Sequence, residues 1–362
     1  MGNSEEVFVK KAFKTNWIAP LGPNVSGFEN DIQNYIGNDI NVAALSSGTG
    51  AIHLGLGILG VGKGDEVLCQ SFTFSASANP ITYLGATPVF IDSELTTWNM
   101  SPKLLEEAIV DRIKKYKKPK AIIAVHLYGM PYDVGGINEI AGKYDIPVIE
   151  DSAEALGSTY KNQKCGSFGD IAVLSFNGNK IITTSGGGAL LSKKSDYVDQ
   201  AIHLSTQARD DAPHYQHTKI GYNYRMSNVL AGIGRGQMQV LQNRVDARRR
   251  NYGYYLENLS SSGEIEFLEE PKGFYSNRWL TCILTPSFEI KERIRLALLR
   301  ENIESRPLWK PMHMQPIFKD NLNFSDGTSE DLFNRGLCLP SGSNLTKNDL
   351  VRVVSNIKNI LR

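Results

Sequence analysis

Between residues 65 and 175 the chain alternates short apolar runs with helix-like segments, and that alternation constrains the fold more than any other feature. The runs are Glu66-Val-Leu-Cys69, Thr87-Pro-Val-Phe-Ile91, Ala121-Ile-Ile-Ala-Val-His126, Pro147-Val-Ile-Glu150 and Ile171-Ala-Val-Leu174. Successive apolar residues bury both faces of a strand, and the intervening segments are long enough to cross over. The pattern therefore predicts an α/β fold with a mostly parallel central sheet covered by helices. Crossover helices are expected near Ser75–Leu84, Ser101–Tyr116 and Ile137–Tyr144. The 362 residues suffice for a large domain over 1–235 and a smaller C-terminal α+β domain over 236–362. A long helix from Asn228 to about Leu259 should lead into the second domain. Strands near Trp279–Leu284 and helices near Lys291–Glu301 and Lys347–Ile360 should follow the Ser260–Gly263 turn.

Open α/β sheets hold ligands beyond the carboxyl ends of their strands, and the last apolar run leads there. It continues as Ser175-Phe-Asn-Gly-Asn-Lys180 and then Ile181-Ile-Thr-Thr-Ser-Gly-Gly-Gly188, so Lys180 should sit just past a strand end in a glycine-rich loop. A lysine so placed can form a Schiff base with a carbonyl, and pyridoxal phosphate (PLP) is the commonest cofactor to require one. Asp151, at the end of the preceding apolar run, offers the carboxylate that keeps a pyridine nitrogen protonated. In Leu45-Ser-Ser-Gly-Thr-Gly-Ala-Ile-His-Leu54 a glycine-bearing turn opens an apolar helix. Its free N–H groups and dipole favour a phosphate, with hydroxyls available from Thr49 and Ser175. Each residue taken singly has a plainer reading. Lys180 would be a solvated loop lysine, Asp151 a helix cap, Glu154 a solvated charge, Phe74 a core aromatic, and Gly186–Gly188 a turn into the next strand.

Ser47-Gly-Thr49, Ser71-Phe-Thr-Phe74, Glu150-Asp-Ser-Ala-Glu154, Ser175–Lys180 and Gly221-Tyr-Asn-Tyr-Arg-Met226 occur in one order along the chain. In this the sequence resembles the DegT/DnrJ/EryC1/StrS family of PLP-dependent sugar aminotransferases of fold type I, over nearly its whole length. Asn16–Gly22, Asn177–Gly188, Ser205-Thr-Gln-Ala-Arg209 and Ser305-Arg-Pro-Leu-Trp-Lys310 look, more closely, like the UDP-4-amino-6-deoxy-N-acetylglucosamine transaminases of the bacillosamine pathway. The resemblance implies Lys180 as the catalytic lysine and Thr49, Gly50, Phe74, Asp151, Glu154, Ser175 and Asn223 as cofactor contacts. Phe74 would stack on the cofactor, and Asn223 would cross to the phosphate of a partner subunit in a homodimer with shared active sites. Trp17 and Ile18 of the N-terminal arm, with Arg306, Lys310 and His313, would meet the substrate. The implied reaction moves an amino group from L-glutamate to a UDP-linked 4-keto-6-deoxy N-acetyl sugar. Other 3-keto or dTDP-linked sugars, and a non-catalytic PLP-binding module, are the alternatives.

Other chemistries fit poorly. Gly55-Leu-Gly-Ile-Leu-Gly60 matches a dinucleotide fingerprint but falls inside a helical pattern. Gly57 to Lys63 nearly matches a P-loop but is followed by Gly64 where Ser or Thr is required. A formal charge of +1 gives no general attraction to nucleic acid or membrane. No apolar run reaches membrane-spanning length, and the first residues lack a signal peptide's pattern, so a cytoplasmic protein is expected. Cys69, Cys165, Cys282 and Cys338 lack metal-type spacing, no His-Glu-x-x-His occurs, and no metal is assigned. Arg225 is expected to serve structure, Arg248–Arg250 to form a solvated helix face, and His126 to be a buried histidine satisfied by the backbone.

Overall fold

The structure, a computed structural model, describes residues 1–260 and 263–361, so Ser261 and Ser262 of the expected turn lie outside the described residues. The apolar runs form the centre of an eight-stranded sheet. Its strands are β1 (Asn41–Leu45), β2 (Glu66–Gln70), β3 (Thr87–Ile91), β4 (Ala121–Val125), β5 (Val148–Asp151), β6 (Ile171–Ser175), β7 (Gly188–Ser192) and β8 (Asn323–Phe324). Their spatial order is β1-β7-β6-β5-β4-β2-β3-β8. Neighbours pair in parallel except at β7, which runs antiparallel to both β1 and β6. The reason is local. Parallel neighbours need a crossover, whereas the segment from Phe176 to Gly187 contains no helix and simply turns back. The loop carrying Lys180 is thus closed at its base by one ladder, with Ser175 opposite Gly188.

Alternate residues of the central strands enter different cores, as buried parallel strands require. Val67, Ile123, Ile149 and Ile171 pack with Ile52 and Leu56 of the helix Gly48–Ile58. On the opposite face Leu68, Ile122 and Val148 meet Leu105, Ile109 and Ile137. Beside them Ala172, Leu174 and Leu191 meet Phe28 and Ile32. The crossover helices are Ser75–Tyr83, Pro102–Lys115 and Val134–Tyr144. The last begins earlier than its apolar period suggests because the Asp133 side chain accepts the Gly136 N–H at 3.1 Å and caps it. The Gly55–Gly60 fingerprint begins inside the helix Gly48–Ile58, away from any strand-to-helix turn.

The helix expected from Asn228 to Leu259 is two helices, Asn228–Met238 and Leu241–Leu259, interrupted at Gln239-Val240. The first is built for close contact. A Cβ on Gly236 would lie 2.6 Å from the Glu5 nitrogen, and one on Gly234 as close to the Phe28 ring. After the second comes a four-stranded antiparallel sheet in the order Glu266–Phe267, Thr281–Leu284, Gly336–Leu339, Arg306–Pro307. The helices Phe288–Arg300 and Lys347–Leu361 pack with it. The C-terminal third also reaches back. β8 pairs with Phe90 and Ile91 of β3, and Phe274–Tyr275 pairs with Thr159–Tyr160. Buried Asp92 holds the return loop, accepting the Ser325 hydroxyl at 2.5 Å and the N–H groups of Gly327 and Ser329 at 3.1 and 3.0 Å.

The expected solvated face Arg248–Arg250 is a correction: only Arg250 is exposed. Arg248 donates to the Trp279 carbonyl, and Arg249 pairs with Glu270 at 2.5 Å and lies over the Tyr275 ring. Burial, with Arg244 nearby, lowers the Arg248 guanidinium to about 10. Arg225 is structural as expected, bonded to Glu29 at 2.6 Å and to the Ala44 carbonyl at 2.9 Å. All four cysteines are buried, and Cys282 faces Cys338 across two strands. Among the described residues no helix is long and apolar enough to cross a membrane.

Beneath the strand ends sits a buried carboxylate with five donors. Glu150 accepts from His126 Nε2 and Ser152 Oγ at 2.8 Å, Gly166 N at 2.5 Å, Phe168 N at 2.7 Å and Gly169 N at 3.1 Å. His126 Nδ1 accepts the Tyr132 N–H at 3.1 Å, which leaves Nε2 to carry the proton toward Glu150. Burial pushes the Glu150 carboxyl up, but the bonds from His126, Gly166 and Phe168 outweigh it and hold the group below its ordinary 4.5. A depressed carboxyl stabilises the fold fully above that value and progressively less as pH falls through the folded value. Glu150→Gln, which turns an N–H₂ toward donors, is expected to cost about 3 kcal/mol in urea unfolding at pH 7. It should also flatten the acid limb of stability below pH 4.5 relative to the unmodified protein.

Candidate active site

At the carboxyl ends of β4, β5 and β6 lies a cavity of about 310 Å³, lined by Thr49, Phe74, Asp151, Glu154, Ser175 and Lys180 among others. One wall is the start of the helix Gly48–Ile58. The chain leaves β1 at Leu45 and turns through Ser46-Ser47, and the Ser47 hydroxyl caps the helix by accepting the Gly50 N–H at 3.0 Å. No partner among the described residues takes the N–H groups of Gly48 and Thr49, and both residues line the cavity. With the Thr49 and Ser175 hydroxyls beside them they make an anion cradle at a helix N-terminus. Gly188 fixes its depth. A Cβ there would lie 2.3 Å from the Ser47 carbonyl carbon and 2.4 Å from the Gly48 nitrogen, so only glycine lets β7 pass behind the cradle. Of the expected glycine turn, Gly186 and Gly187 line the cavity and Gly188 opens β7.

Asp151 ends β5 and is buried. Its Oδ2 accepts the Ser77 hydroxyl at 2.7 Å and its Oδ1 the Ala153 N–H at 3.2 Å, and Thr73 Oγ1 lies 2.8 Å from Ser77 Oγ. The carboxylate is oriented with acceptor capacity to spare. Lys180 Nζ lies 3.3 Å from Glu154 Oε1, and the other Glu154 oxygen accepts the Tyr128 N–H at 2.7 Å. Burial pushes the Glu154 carboxyl up, partly offset by Lys180 and the Tyr128 N–H. At the mouth Phe74, half exposed, meets Trp309 edge to face with centroids 4.7 Å apart.

Other residues singled out from sequence lie elsewhere. Gly50 follows Thr49 directly but does not line the cavity; its N–H is taken by Ser47, and a Cβ there would contact Tyr224. Asn223 is exposed, Trp17 and Ile18 are about half exposed on the arm, and none of them lines the cavity. Arg306 is exposed and paired with Glu304 at 2.5 Å. His313 is held by Ser71 Oγ at 2.6 Å and lies 3.3 Å from Glu330. Lys310, partly buried, follows Trp309 without lining the cavity. Sequence reasoning passed over Ser77 and Trp309. Trp309 lies in the family-like stretch Ser305–Lys310, of which Arg306 and Lys310 but not the ring were expected to meet a ligand, whereas no local signal marks Ser77.

The donor set fits PLP: free N–H groups and hydroxyls for a phosphate, a buried carboxylate for a ring nitrogen, and a lysine amine in the same lining. Gly188→Ala, which forces the cradle from the sheet, is expected to cost about 2–4 kcal/mol of stability. Urea unfolding reads the loss, and PLP affinity should fall with it.

The sequence profile of the DegT/DnrJ/EryC1/StrS aminotransferase family matches residues 1–358. EpsN of Bacillus subtilis (strain 168), provisionally named a PLP-dependent aminotransferase, is 48% identical over 358 residues, spanning 98% of this chain and 92% of its own. GDP-perosamine synthase of Escherichia coli O157:H7 is 37% identical over 355 residues, spanning 98% and 94%. The provisionally named sugar aminotransferase Spr1654 of Streptococcus pneumoniae superimposes with a TM-score of 0.91 in its PLP form and 0.92 in its pyridoxamine phosphate (PMP) form. Its identity is 26%, covering 99% of this chain and 96% of that one. On this combination of fold, site and likeness, the chain belongs to the DegT/DnrJ/EryC1/StrS aminotransferase family and is a PLP-dependent enzyme of fold type I.

Proposed function

We propose that this enzyme moves an amino group from L-glutamate to the 4-keto carbon of UDP-2-acetamido-2,6-dideoxy-4-hexulose, yielding UDP-4-amino-4,6-dideoxy-N-acetylglucosamine and 2-oxoglutarate. The observation that carries the chemistry is one cavity whose lining brings together, among the described residues, a single lysine, a buried aspartate and a helix N-terminus with unpartnered N–H groups. The choice of sugar rests on the stretches Asn177–Gly188, Ser205–Arg209 and Ser305–Lys310, which resemble the bacillosamine-type transaminases. A second reading, the same chemistry on another nucleotide-linked keto sugar, draws support from the 37% identity to GDP-perosamine synthase.

In this reading the Gly48 and Thr49 N–H groups, with the Thr49 and Ser175 hydroxyls, bind the cofactor phosphate, and Asp151 keeps the ring nitrogen protonated. When bound, PLP supplies an electron sink that stabilises negative charge at the carbon losing its proton. Among the described residues Lys180 is the one amine lining the cavity, and it serves as the base that takes that proton and returns it. Glu154 steers the amine from 3.3 Å, and Phe74 covers one side of the ring space. Because Asn223 is exposed and stands outside its own chain's cavity, it is free to serve the phosphate of a second subunit. Trp17 and Ile18 close the substrate side, and Arg306, Lys310 and His313 line the nucleotide's approach.

The absorption spectrum of PLP-loaded protein tests the first half of the reaction. L-Glutamate is expected to convert it to the PMP spectrum with release of 2-oxoglutarate, and Lys180→Ala to abolish the conversion. Addition of the UDP-linked 4-keto sugar should restore the PLP spectrum and give the amino sugar by mass. Turnover of only GDP- or dTDP-linked keto sugars would replace the substrate and keep the chemistry, whereas no response to glutamate sinks both. Mixing Lys180→Ala and Asn223→Ala subunits tests the shared site. Half of randomly mixed dimers are mixed, and each has one whole site of two, so about one quarter of the unmodified activity should return. No recovery would place Asn223 within a single chain's site.

A further inference from the structure

The reactive lysine touches one aromatic residue that no motif points to. Trp279 stands just before the strand Thr281–Leu284 in the C-terminal part of the chain and is almost fully buried, with 2% of its surface exposed. The Lys180 ammonium lies over its ring, 4.4 Å from the centroid. The indole N–H donates to the carbonyl of Asn179, the residue before Lys180, at 2.8 Å. One side chain therefore grips the lysine twice, by the backbone through a hydrogen bond and by the amine through a ring face. That face is electron-rich, and a desolvated cation over it is bound more firmly than one in water.

The indole is itself rigidly held. The Trp279 N–H donates to Asn277 Oδ1 at 2.8 Å, and its carbonyl accepts from the buried guanidinium of Arg248. Asn277 in turn donates to the carbonyls of Glu154 and Leu156, each at 2.9 Å. So the segment from Asn277 to Trp279 fixes both the acid and the amine that face each other. Gly129 leaves room for this: a Cβ on it would lie 1.9 Å from Asn277 Oδ1.

We propose that Trp279 is a positioning residue for Lys180: its indole holds the four-carbon stem in the conformation from which the amine reaches the cofactor carbonyl. The inference rests on the PLP reading of the cavity. Lysine stems are costly to order, and fixing one beforehand leaves less to lose when the carbon–nitrogen bond forms. In that step the Lys180 ammonium would first give one proton to solvent, and the free amine would add to the PLP aldehyde carbon, its two remaining hydrogens departing with the oxygen. A carbon–nitrogen double bond replaces the carbon–oxygen one, and the oxygen leaves as water.

PMP occupies the same ring and phosphate positions but has no aldehyde, so its binding does not use the lysine. We would follow PLP capture by apoprotein from its absorbance change, with borohydride trapping and peptide mass spectrometry to locate the bond. PMP affinity would be measured in parallel by calorimetry. For Trp279→Leu the capture rate at Lys180 should fall about ten-fold with PMP affinity unchanged, and Trp279→Phe, which keeps a ring face, should stay within about three-fold. If Trp279→Leu fails to fold, Trp279→His takes its place, since it keeps a ring N–H but offers a poorer face. Capture at the unmodified rate, or a matching loss of PMP affinity, overturns the proposal. Failure of the unmodified protein to take up PLP would instead overturn the cofactor reading beneath it.

Discussion

The backbone of Gly188 passes against the Ser47–Gly48 peptide with no space for a side chain, and much of the site depends on that contact. It lets β7 run antiparallel between β1 and β6, which brings the turn after β1 beside the loop after β6. One of these carries the unpartnered helix N–H groups and the other carries Lys180. A bulkier residue would separate the anion cradle from the amine, because backbone cannot yield as a side chain can.

The cavity wall carries charge of both signs. The helix N-terminus presents positive potential to it, and Asp151, oriented by Ser77 and Ala153, presents a fixed carboxylate in the same lining. Lys180 is held between Glu154 and the Trp279 ring. Such placement costs folding energy, since burial opposes the Glu154 charge, and the surrounding hydrogen bonds offset part of it. Glu150, next to Asp151 in the strand, does structural work with the same chemistry. Its five donors tie the loops below the site to the strand whose end bears Asp151.

The C-terminal third completes the site instead of standing apart from it. β8 extends the large sheet, Trp309 borders the cavity mouth, and the segment from Asn277 to Trp279 binds both the Glu154 turn and the lysine loop. A site assembled from both parts of the chain can respond to how they pack, whereas one confined to the sheet could not.

The sequence by itself determined the mostly parallel sheet and the elements that carry Thr49, Asp151, Ser175 and Lys180. Strand burial and helix starts are local patterns, and a strand's end fixes where its next residues lie. It also marked His126 as buried, but backbone satisfies only its Nδ1, through the Tyr132 N–H, while Nε2 meets the Glu150 carboxylate. Only the tertiary structure decided the break at Gln239-Val240, the inward arginines Arg248 and Arg249, and the antiparallel course of β7. It alone paired Ser77 with Asp151, and Trp279 with Lys180. These partners are far apart in the chain and are joined by packing between elements, and no periodicity within either element records which residue of the other it will meet.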